Sequence, residues 1–252
     1  MESQRISVNG IHMGVMLYGE SDERQQTLVL LHGFTGSAAN WANLCRRLGS
    51  TPDAMGTPDT RVGATPKGMR LIALDMLGHG QSDAPTDPAR YSIEHCQADI
   101  LAALETLGVR SGEATLLGYS MGGRIALYTA FSGFFRALIL ESVSSGLAVS
   151  SEREQRRQSD NVLAARIERE GVVAFVNYWE QLPLFASQNS LPLETRATLR
   201  MQRLNNSAMG LANSLRGVGT GVQPALHEQL STLTLPTLLL AGELDNKFCQ
   251  IA

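Results

Sequence analysis

A serine stands between two glycines near the middle of the chain, in Gly118-Tyr119-Ser120-Met121-Gly122. The apolar run 114–117 precedes this motif and a helical pattern over 124–130 follows it. The order of strand, sharp turn and helix predicts a nucleophile elbow, which strains the central residue and lifts its hydroxyl above the sheet edge. The flanking glycines leave room that side chains would fill, and the following helix begins with partial positive charge. Ser120 is therefore predicted to touch a substrate, with an ordinary glycine-rich turn as the alternative.

A second segment, His32-Gly33-Phe34-Thr35-Gly36, supports the same prediction independently. It follows the apolar run 27–31, the position at which such a fold supplies the second donor of an oxyanion hole. The backbone N–H groups of Phe34 and Met121 are predicted to point at one developing negative charge. For His32 itself we expect a structural role in shaping this loop.

The predicted acid is Asp245, which follows the apolar run 236–241. Loops past the carboxyl ends of parallel strands carry active-site residues, although an aspartate that caps a turn is the alternative. Where an elbow serine works with an acid and a histidine, the chain order is serine, acid, histidine. All five histidines precede Asp245: His12, His32, His79, His95 and His227. The histidine of a triad is therefore expected to be absent from these 252 residues, and His79 is expected to be a turn residue.

Composition bounds the class of protein. The chain has 252 residues, of which 43% are hydrophobic and 18% charged, which is typical of a globular protein with a sizeable core. The net charge of −3 gives no reason to expect nucleic acid as a partner. Three widely spaced cysteines indicate neither a disulfide framework nor a zinc site. With no apolar run long enough for a membrane span and no signal-peptide pattern, a cytoplasmic enzyme is expected.

The apolar pattern predicts an α/β fold. Residues 5–8 and 12–18, separated by Asn9-Gly10, are typical of an antiparallel hairpin. Helical spacing of apolar residues over 93–107 predicts a helix that Ser92 caps. Further strands separated by helical stretches, the signature of a mostly parallel sheet, are predicted over 27–31, 69–75, 114–117, 137–142 and 236–241.

The chain is predicted to consist of a core over 1–148, a helical cap insertion over 149–224 and a last, incomplete core part over 225–252. Residues 49–68 lack periodicity and are rich in Gly, Pro, Thr and Asp, which favours a surface insertion. The chain is expected to be truncated after the strand 236–241, which leaves Leu238-Leu239-Leu240 as an exposed apolar edge. We therefore expect this chain to associate.

Over essentially its whole length the sequence resembles α/β-hydrolase-fold proteins with helices on both faces of the sheet. It is most similar to the 2-succinyl-6-hydroxy-2,4-cyclohexadiene-1-carboxylate synthase family of menaquinone and phylloquinone biosynthesis. The elbow with its trailing Arg124 carries this resemblance, together with Arg156 within 155–160, Trp179 ahead of 184–187, Arg203 within 203–206, residues 217–224, and Lys247 within 242–248. The absent histidine is the departure from the family pattern.

The resemblance implies a substrate with three carboxylates, which guanidinium groups bind in a bidentate fork. It assigns substrate binding to Tyr119, Arg124, Arg156, Trp179, Arg203 and Lys247. For each basic residue alone a surface cation is the alternative, and for Tyr119 and Trp179 core packing is.

The reaction that the resemblance implies is a carbon–oxygen lyase step. Ser120, deprotonated by a histidine–Asp245 pair, is the general base, and pyruvate leaves 2-succinyl-5-enolpyruvyl-6-hydroxy-3-cyclohexene-1-carboxylate. The N–H groups of Phe34 and Met121 hold the enolate. No metal or organic cofactor is expected. Two alternatives stay open: a serine hydrolase that forms an acyl-enzyme, and a non-catalytic binding protein that lacks the base.

Overall fold

The computed structural model of the protein describes residues 1–18, 26–49 and 69–251, which contain one sheet of seven strands. The strand order is β1-β2-β4-β3-β5-β6-β7. The strands are β1 (Glu2–Val8), β2 (Ile11–Tyr18), β3 (Gln26–Leu31), β4 (Met69–Leu74), β5 (Ala114–Tyr119), β6 (Ala137–Glu141) and β7 (Thr237–Leu240). β2 pairs antiparallel with β1 and β4, and the remaining pairs are parallel, which confirms the predicted mostly parallel sheet.

The first two strands form the predicted hairpin, with Val8 paired to Ile11 across the turn. Asn9 and Gly10 both have left-handed backbone, with φ of 47° and 79°. A two-residue turn of this type requires positive φ at both positions, which asparagine and glycine tolerate best. The short connection therefore fixes the register of the hairpin.

The central strands β3, β4 and β5 are apolar on both faces because the fold covers both faces. Leu30, Leu31 and Leu74 are fully buried, as are Ile72 and Leu116. Since parallel strands end at the same edge, the carboxyl ends of β3, β5 and β7 lead into the segments that carry the predicted site residues. The fold thus brings three separate parts of the chain to one edge of the sheet.

The α-helices of the described residues are α1 (Ala42–Gly49), α2 (Ile93–Thr106), α3 (Met121–Ala130), α4 (Ser150–Trp179), α5 (Leu193–Leu204), α6 (Ala208–Val218) and α7 (Asn246–Ile251). Helix α2 confirms the predicted helix and ends one residue earlier. Its predicted cap is present, because the Ser92 hydroxyl accepts a hydrogen bond from the backbone N–H of His95 at 3.4 Å. Ile93, Cys96 and Ile100 are buried on its inner face.

The residues between β6 and β7 are helical. Helix α4 has a non-helical residue at Gly171, where φ is 79° and ψ is 170°, so the helix kinks there. A 3-10 helix (Pro183–Ser190) joins α4 to α5. Glycine suits the kink because it adopts positive φ without steric cost. The division into units over 1–148, 149–224 and 225–252 stays a prediction.

Helix α6 is attached firmly to the sheet-bearing part of the chain. The side-chain amide of Asn213 donates to the carbonyl oxygens of Pro85 and Thr86, each at 3.1 Å. Gly210 lies against Gly78 so closely that a Cβ on Gly210 would lie 2.1 Å from the Gly78 carbonyl oxygen. The helix that ends beside the candidate site is therefore held in place by backbone contact.

Strand β7 pairs with β6 and ends the strand order. Leu238, Leu239 and Leu240 are 52%, 47% and 43% exposed, as expected for an apolar edge. The predicted insertion over 49–68 lies outside the described residues except for Gly49, which is the last residue of α1. Among the helices of the described residues, each is too short or too polar to cross a membrane.

Candidate active site

Ser120 lies in the sharp turn between β5 and α3 and has φ of 52° and ψ of −111°. This left-handed backbone is unfavourable for a residue with a side chain, so the surrounding structure must hold it. The glycines on either side provide the space. A Cβ on Gly118 would lie 2.5 Å from the Gly122 carbonyl oxygen, and a Cβ on Gly122 would lie 2.5 Å from the carbonyl oxygen of His32. The nucleophile elbow predicted from the sequence is present.

Two backbone N–H groups stand unused near this serine. Met121 is the first residue of α3, and Phe34 follows β3 in the neighbouring position of the sheet. In the described part of the chain, neither N–H donates to a protein acceptor. The Met121 side chain is fixed because Ser214 Oγ donates to its sulfur at 3.4 Å. The arrangement can stabilise an oxyanion, since both donors are preorganised and one begins a helix.

A cleft of about 1270 Å³ opens beside Ser120. It is lined by eight of the ten predicted site residues: Phe34, Ser120, Met121, Arg124, Arg156, Trp179, Asp245 and Lys247. The other two, Tyr119 and Arg203, are outside the lining of this cleft. The cleft contains side chains from the elbow, from α4 and from the segment after β7, so tertiary folding rather than sequence proximity assembles it.

Arg124 projects from the first turn of α3 into the floor of the cleft. Its Nη1 donates to the Val218 carbonyl at 3.0 Å and to Gln223 Oε1. Burial and, to a lesser extent, the nearby charge of Arg156 together lower the pKa of Arg124 to about 10. The guanidinium therefore stays protonated at neutral pH, and a partly dehydrated cation binds an anion more strongly than one in water does.

Arg156 lies on α4 at the wall of the same cleft. Its Nε donates to Asp160 Oδ1 at 2.8 Å, one helical turn further along. The arginine side chain is 47% exposed and the aspartate side chain 7%. The cleft thus holds a partly buried and a half-exposed guanidinium, with a buried carboxylate beside the second one.

Trp179, the last residue of α4, belongs to an aromatic cluster at the cleft. Its ring meets Phe34, Phe175 and Phe185 at centroid distances of 5.5, 5.3 and 5.6 Å. Its indole N–H is buried and has no acceptor among the described residues. A buried donor without a partner is costly, so Trp179 has a hydrogen bond to offer a ligand. Trp179 therefore both packs in the aromatic cluster and lines the cleft.

Asp245 and Lys247 approach the cleft from the segment after β7. Asp245 Oδ1 accepts a hydrogen bond from the backbone N–H of Phe248 at 3.2 Å, so this aspartate caps α7. The Lys247 ammonium lies 5.0 Å from the centre of the Phe248 ring. The capping role proposed as the alternative for Asp245 is therefore real, and the same side chain also lines the cleft.

Tyr119 and Arg203 lie beside the cleft. Arg203 is nearly buried, and its guanidinium donates to Glu180 Oε1 at 2.9 Å and to Gln188 Oε1 at 2.8 Å. Tyr119 is 40% exposed. Burial raises its pKa, the carboxylates of Glu141 and Asp245 raise it further, and Arg203 lowers it. Tyr119 thus lies within electrostatic range of both Asp245 and Arg203.

The histidines lie away from the cleft; all five are among the described residues, and none lines it. His32 is buried, donates from Nδ1 to the Gly33 carbonyl at 2.8 Å and accepts at Nε2 from the Met76 N–H at 3.0 Å, as expected for a loop-shaping role. His79 lies in the turn after β4, as predicted, where its backbone N–H donates to the Met76 carbonyl at 2.9 Å, and its side chain is also buried. The two rings lie 5.0 Å apart, behind Phe34.

Sequence reasoning missed Arg166, which also lines the cleft. Its guanidinium lies 4.3 Å from the centre of the Tyr178 ring and its Nε donates to Glu170 at 2.7 Å. The helical spacing on α4 held a signal, since Arg156, Ser159, Leu163 and Arg166 recur every three or four residues and all line the cleft.

The strained serine after β5 and the free N–H groups at the same sheet edge are typical of one class of enzymes. The alpha/beta hydrolase fold family matches residues 26–249, and the chain belongs to it. A Serratia proteamaculans (strain 568) protein named 2-succinyl-6-hydroxy-2,4-cyclohexadiene-1-carboxylate synthase is 32% identical over 240 residues, 94% of this chain and 83% of that protein. A Bacillus subtilis (strain 168) protein provisionally given the same name is 42% identical over 234 residues, 92% of this chain and 78% of that protein.

Among solved structures, MenH from S. aureus matches with a TM-score of 0.80 and 35% identity, over 94% of this chain and 82% of that one. Within the α/β hydrolase fold, the chain therefore belongs to the 2-succinyl-6-hydroxy-2,4-cyclohexadiene-1-carboxylate synthase family.

Proposed function

We propose that this protein is a carbon–oxygen lyase that eliminates pyruvate from 2-succinyl-5-enolpyruvyl-6-hydroxy-3-cyclohexene-1-carboxylate. The product is the 2-succinyl-6-hydroxy-2,4-cyclohexadiene-1-carboxylate of the relatives' name. The observation that carries the proposal is that Arg124 and Arg156 line the same cleft as Ser120. A neutral ester has no anionic group for the two guanidinium groups to bind, whereas a substrate with three carboxylates has one for each of them. A cytoplasmic setting and a small-molecule partner are part of the same proposal.

The basic residues divide the carboxylates of this substrate between them. Arg124 and Arg156 each keep terminal N–H groups that have no acceptor among the described residues, so each can bind a carboxylate as a fork. Lys247, which is exposed, adds a further cation from the segment after β7. We assign Tyr119 and Arg203 to the mouth of the cleft, because Tyr119 lies within electrostatic range of Arg203 and of Asp245.

Ser120 is the proposed general base. Its alkoxide takes the proton from the ring carbon next to the succinyl ketone, and the electron pair of that C–H bond moves into an enolate. The N–H groups of Phe34 and Met121 stabilise the enolate oxygen. The enolate then collapses: a new ring double bond forms at the deprotonated carbon, the existing ring double bond shifts by one position, and the ring C–O bond to the enolpyruvyl group breaks. The leaving group takes up a proton to become pyruvate. Trp179 offers its indole N–H to a substrate oxygen.

Ser120 needs a partner that takes its own proton, because a serine hydroxyl is a weak base at neutral pH. Asp245 lines the cleft and can orient an imidazole, but the five histidines of the chain lie elsewhere. A polypeptide that binds the tricarboxylate without turning it over is the alternative that the experiment below tests.

The experiment compares pyruvate release from the enolpyruvyl substrate with turnover of p-nitrophenyl acetate, alone and with added imidazole. A tryptophan-fluorescence titration of the substrate runs in parallel. Substrate binding with imidazole-dependent pyruvate release supports the lyase. Ester turnover without pyruvate release contradicts it and favours a hydrolase. Binding that survives Ser120→Ala, without turnover in any condition, favours the binding protein.

A further inference from the structure

Two of the arginines that line the cleft, Arg124 and Arg156, carry like charges that repel each other. Arg124 is partly buried, and the charge of Arg156 disfavours its protonated form. Like charges in a poorly hydrated site repel strongly, and the more exposed partner is the one free to move away. Without a counter-charge, Arg156 would turn toward solvent and the cleft would lose one of its two forks.

Asp160 is a carboxylate that pairs with Arg156 and acts electrostatically on Arg124. It is 5% exposed, and its Oδ1 accepts the Arg156 Nε hydrogen bond at 2.8 Å. Its charge acts on Arg124 in the sense opposite to that of Arg156. Its second oxygen, Oδ2, is buried and has no donor among the described residues. Removing a carboxylate from water costs free energy, so one ion pair along the helix does not by itself hold Asp160 in this position.

The backbone around Asp160 is shaped to keep this carboxylate in place. A Cβ on Gly219 would lie 2.7 Å from Asp160 Oδ2, so only glycine leaves room for the side chain where it is. Gly219 directly follows α6, next to Val218, whose carbonyl holds Arg124. The contacts that fix the two arginines therefore converge on one short stretch of chain.

The hydrogen bonds that hold Arg156 and Arg124, each called a clamp below, use one edge of the guanidinium group and leave the other edge free. Arg156 is held through Nε, so both its terminal nitrogens are without protein acceptors in the described part of the chain. Arg124 is held through Nη1 alone. The contact through Nε leaves Arg156 the end-on fork of its two terminal nitrogens, and the contacts through Nη1 leave Arg124 the side-on fork of Nε and Nη2.

We propose that Asp160 is a positioning residue for substrate recognition, which holds Arg156 through Nε and keeps two mutually repelling guanidinium groups in the same cleft. The inference rests on the proposed function, because it takes the ligand to be a polycarboxylate. Asp160 itself touches neither the reacting atoms nor the substrate.

Asp160→Asn tests this through the sign of its effect on anion binding. The substitution keeps the volume but removes a negative charge, so simple electrostatics predicts tighter binding of an anion. Positioning predicts weaker binding, because Arg156 is released. Isothermal titration with propane-1,2,3-tricarboxylate measures the difference, and we expect the Kd to rise roughly fivefold or more, as for loss of one oriented charged contact. Unchanged or tighter binding overturns the inference.

Two further variants separate positioning from general damage. Glu154→Gln breaks the Arg157 surface pair on the same helix and is expected to change the Kd by less than about twofold. In an Arg156→Ala background, Asp160→Asn is expected to lose its effect or reverse it, because the clamp has nothing left to hold. An equal loss in both backgrounds contradicts the inference.

The clamp also has a readout that needs no ligand. The Arg156 Nε–H proton gives a protected NMR signal when bonded to Asp160, and we expect Asp160→Asn to broaden it through exchange with water. If the parent protein binds no tricarboxylate, the proposed function is contradicted. The NMR signal still shows whether Asp160 holds Arg156, because it is measured without a ligand. A signal that stays protected in Asp160→Asn overturns it.

Discussion

The rings of Phe34 and Trp179 meet edge to face, with centroids 5.5 Å apart and planes at 79°. Phe34 carries one proposed oxyanion donor after β3, and Trp179 ends α4. Their contact continues to Phe175 in the buried face of α4. The loop that stabilises the proposed enolate and the helix that supplies Arg156 are thus joined by aromatic packing, and a change in one is expected to affect the other.

Substitution of Trp179 separates packing from hydrogen bonding. Trp179→Ala removes the ring contacts and is expected to lower the free energy of unfolding by about 2–3 kcal/mol, the lower part of the range for large core truncations because the indole is partly exposed. Trp179→Phe keeps most ring contacts but loses the indole N–H. We expect it to retain stability within about 1 kcal/mol and to bind the tricarboxylate more weakly. Urea unfolding and calorimetric titration measure the two effects, and a Phe variant that binds as well as the parent contradicts the role of the N–H.

Strain at Ser120 predicts different stabilities for two small substitutions. Both Ser120→Ala and Ser120→Gly remove the hydroxyl, and both are expected to abolish pyruvate release. Only glycine accepts φ of 52° with ψ of −111° without strain. The glycine variant is therefore expected to unfold with a free energy about 1 kcal/mol higher than the alanine variant. Equal stability in urea would show that the elbow stores no strain.

The elbow and helix α2 could be predicted from sequence because their signals are local. Ser120 needs only a strand, two close glycines and a helix, all within a short stretch. Ser92 caps α2 through a contact three residues away. These local preferences agree with the tertiary structure, so the predicted elements are present in the folded protein.

The surroundings of the arginines could not be predicted in the same way. Arg203 is turned toward Glu180 and Gln188, which lie 23 and 15 residues away, and a sequence pattern does not show which of several carboxylates an arginine selects. The carbonyl that holds Arg124 comes from a residue 94 positions later. Asp160 carried no signal of its own, because an aspartate one turn after an arginine is also typical of a solvated helix face.

Two buried histidines make stability depend on pH. Burial lowers the pKa of His32 to about 4 and that of His79 to about 3. In the unfolded chain both return to about 6.5. Above pH 6.5 both states are neutral and the stability is complete. As the pH falls from 6.5 toward 4 the unfolded state alone takes up protons, so the free energy of unfolding falls, by on the order of 3 kcal/mol for each histidine.

Urea unfolding between pH 7 and pH 4.5 measures this slope. In His79→Gln the slope is expected to flatten, because one of the two buried groups no longer titrates. The matched control is His227→Gln, since His227 is exposed and its removal is expected to leave the slope unchanged. A slope that is the same in all three proteins would assign the acid sensitivity to carboxylates instead.

Free imidazole is expected to increase pyruvate release by this polypeptide. Ser120 and Asp245 line a cleft of about 1270 Å³ that no histidine of the chain enters, so an imidazole molecule has room to take the serine proton. General-base assistance contributes about 10²–10⁴-fold when the base is held in place, and a diffusing base is expected to recover roughly tenfold. The gain should follow the neutral fraction of imidazole, and it should disappear in Ser120→Ala. It should weaken in Asp245→Asn, which loses the charge that stabilises the imidazolium. An equal gain in Ser120→Ala would mean that imidazole acts on the substrate directly and that Ser120 is not the base.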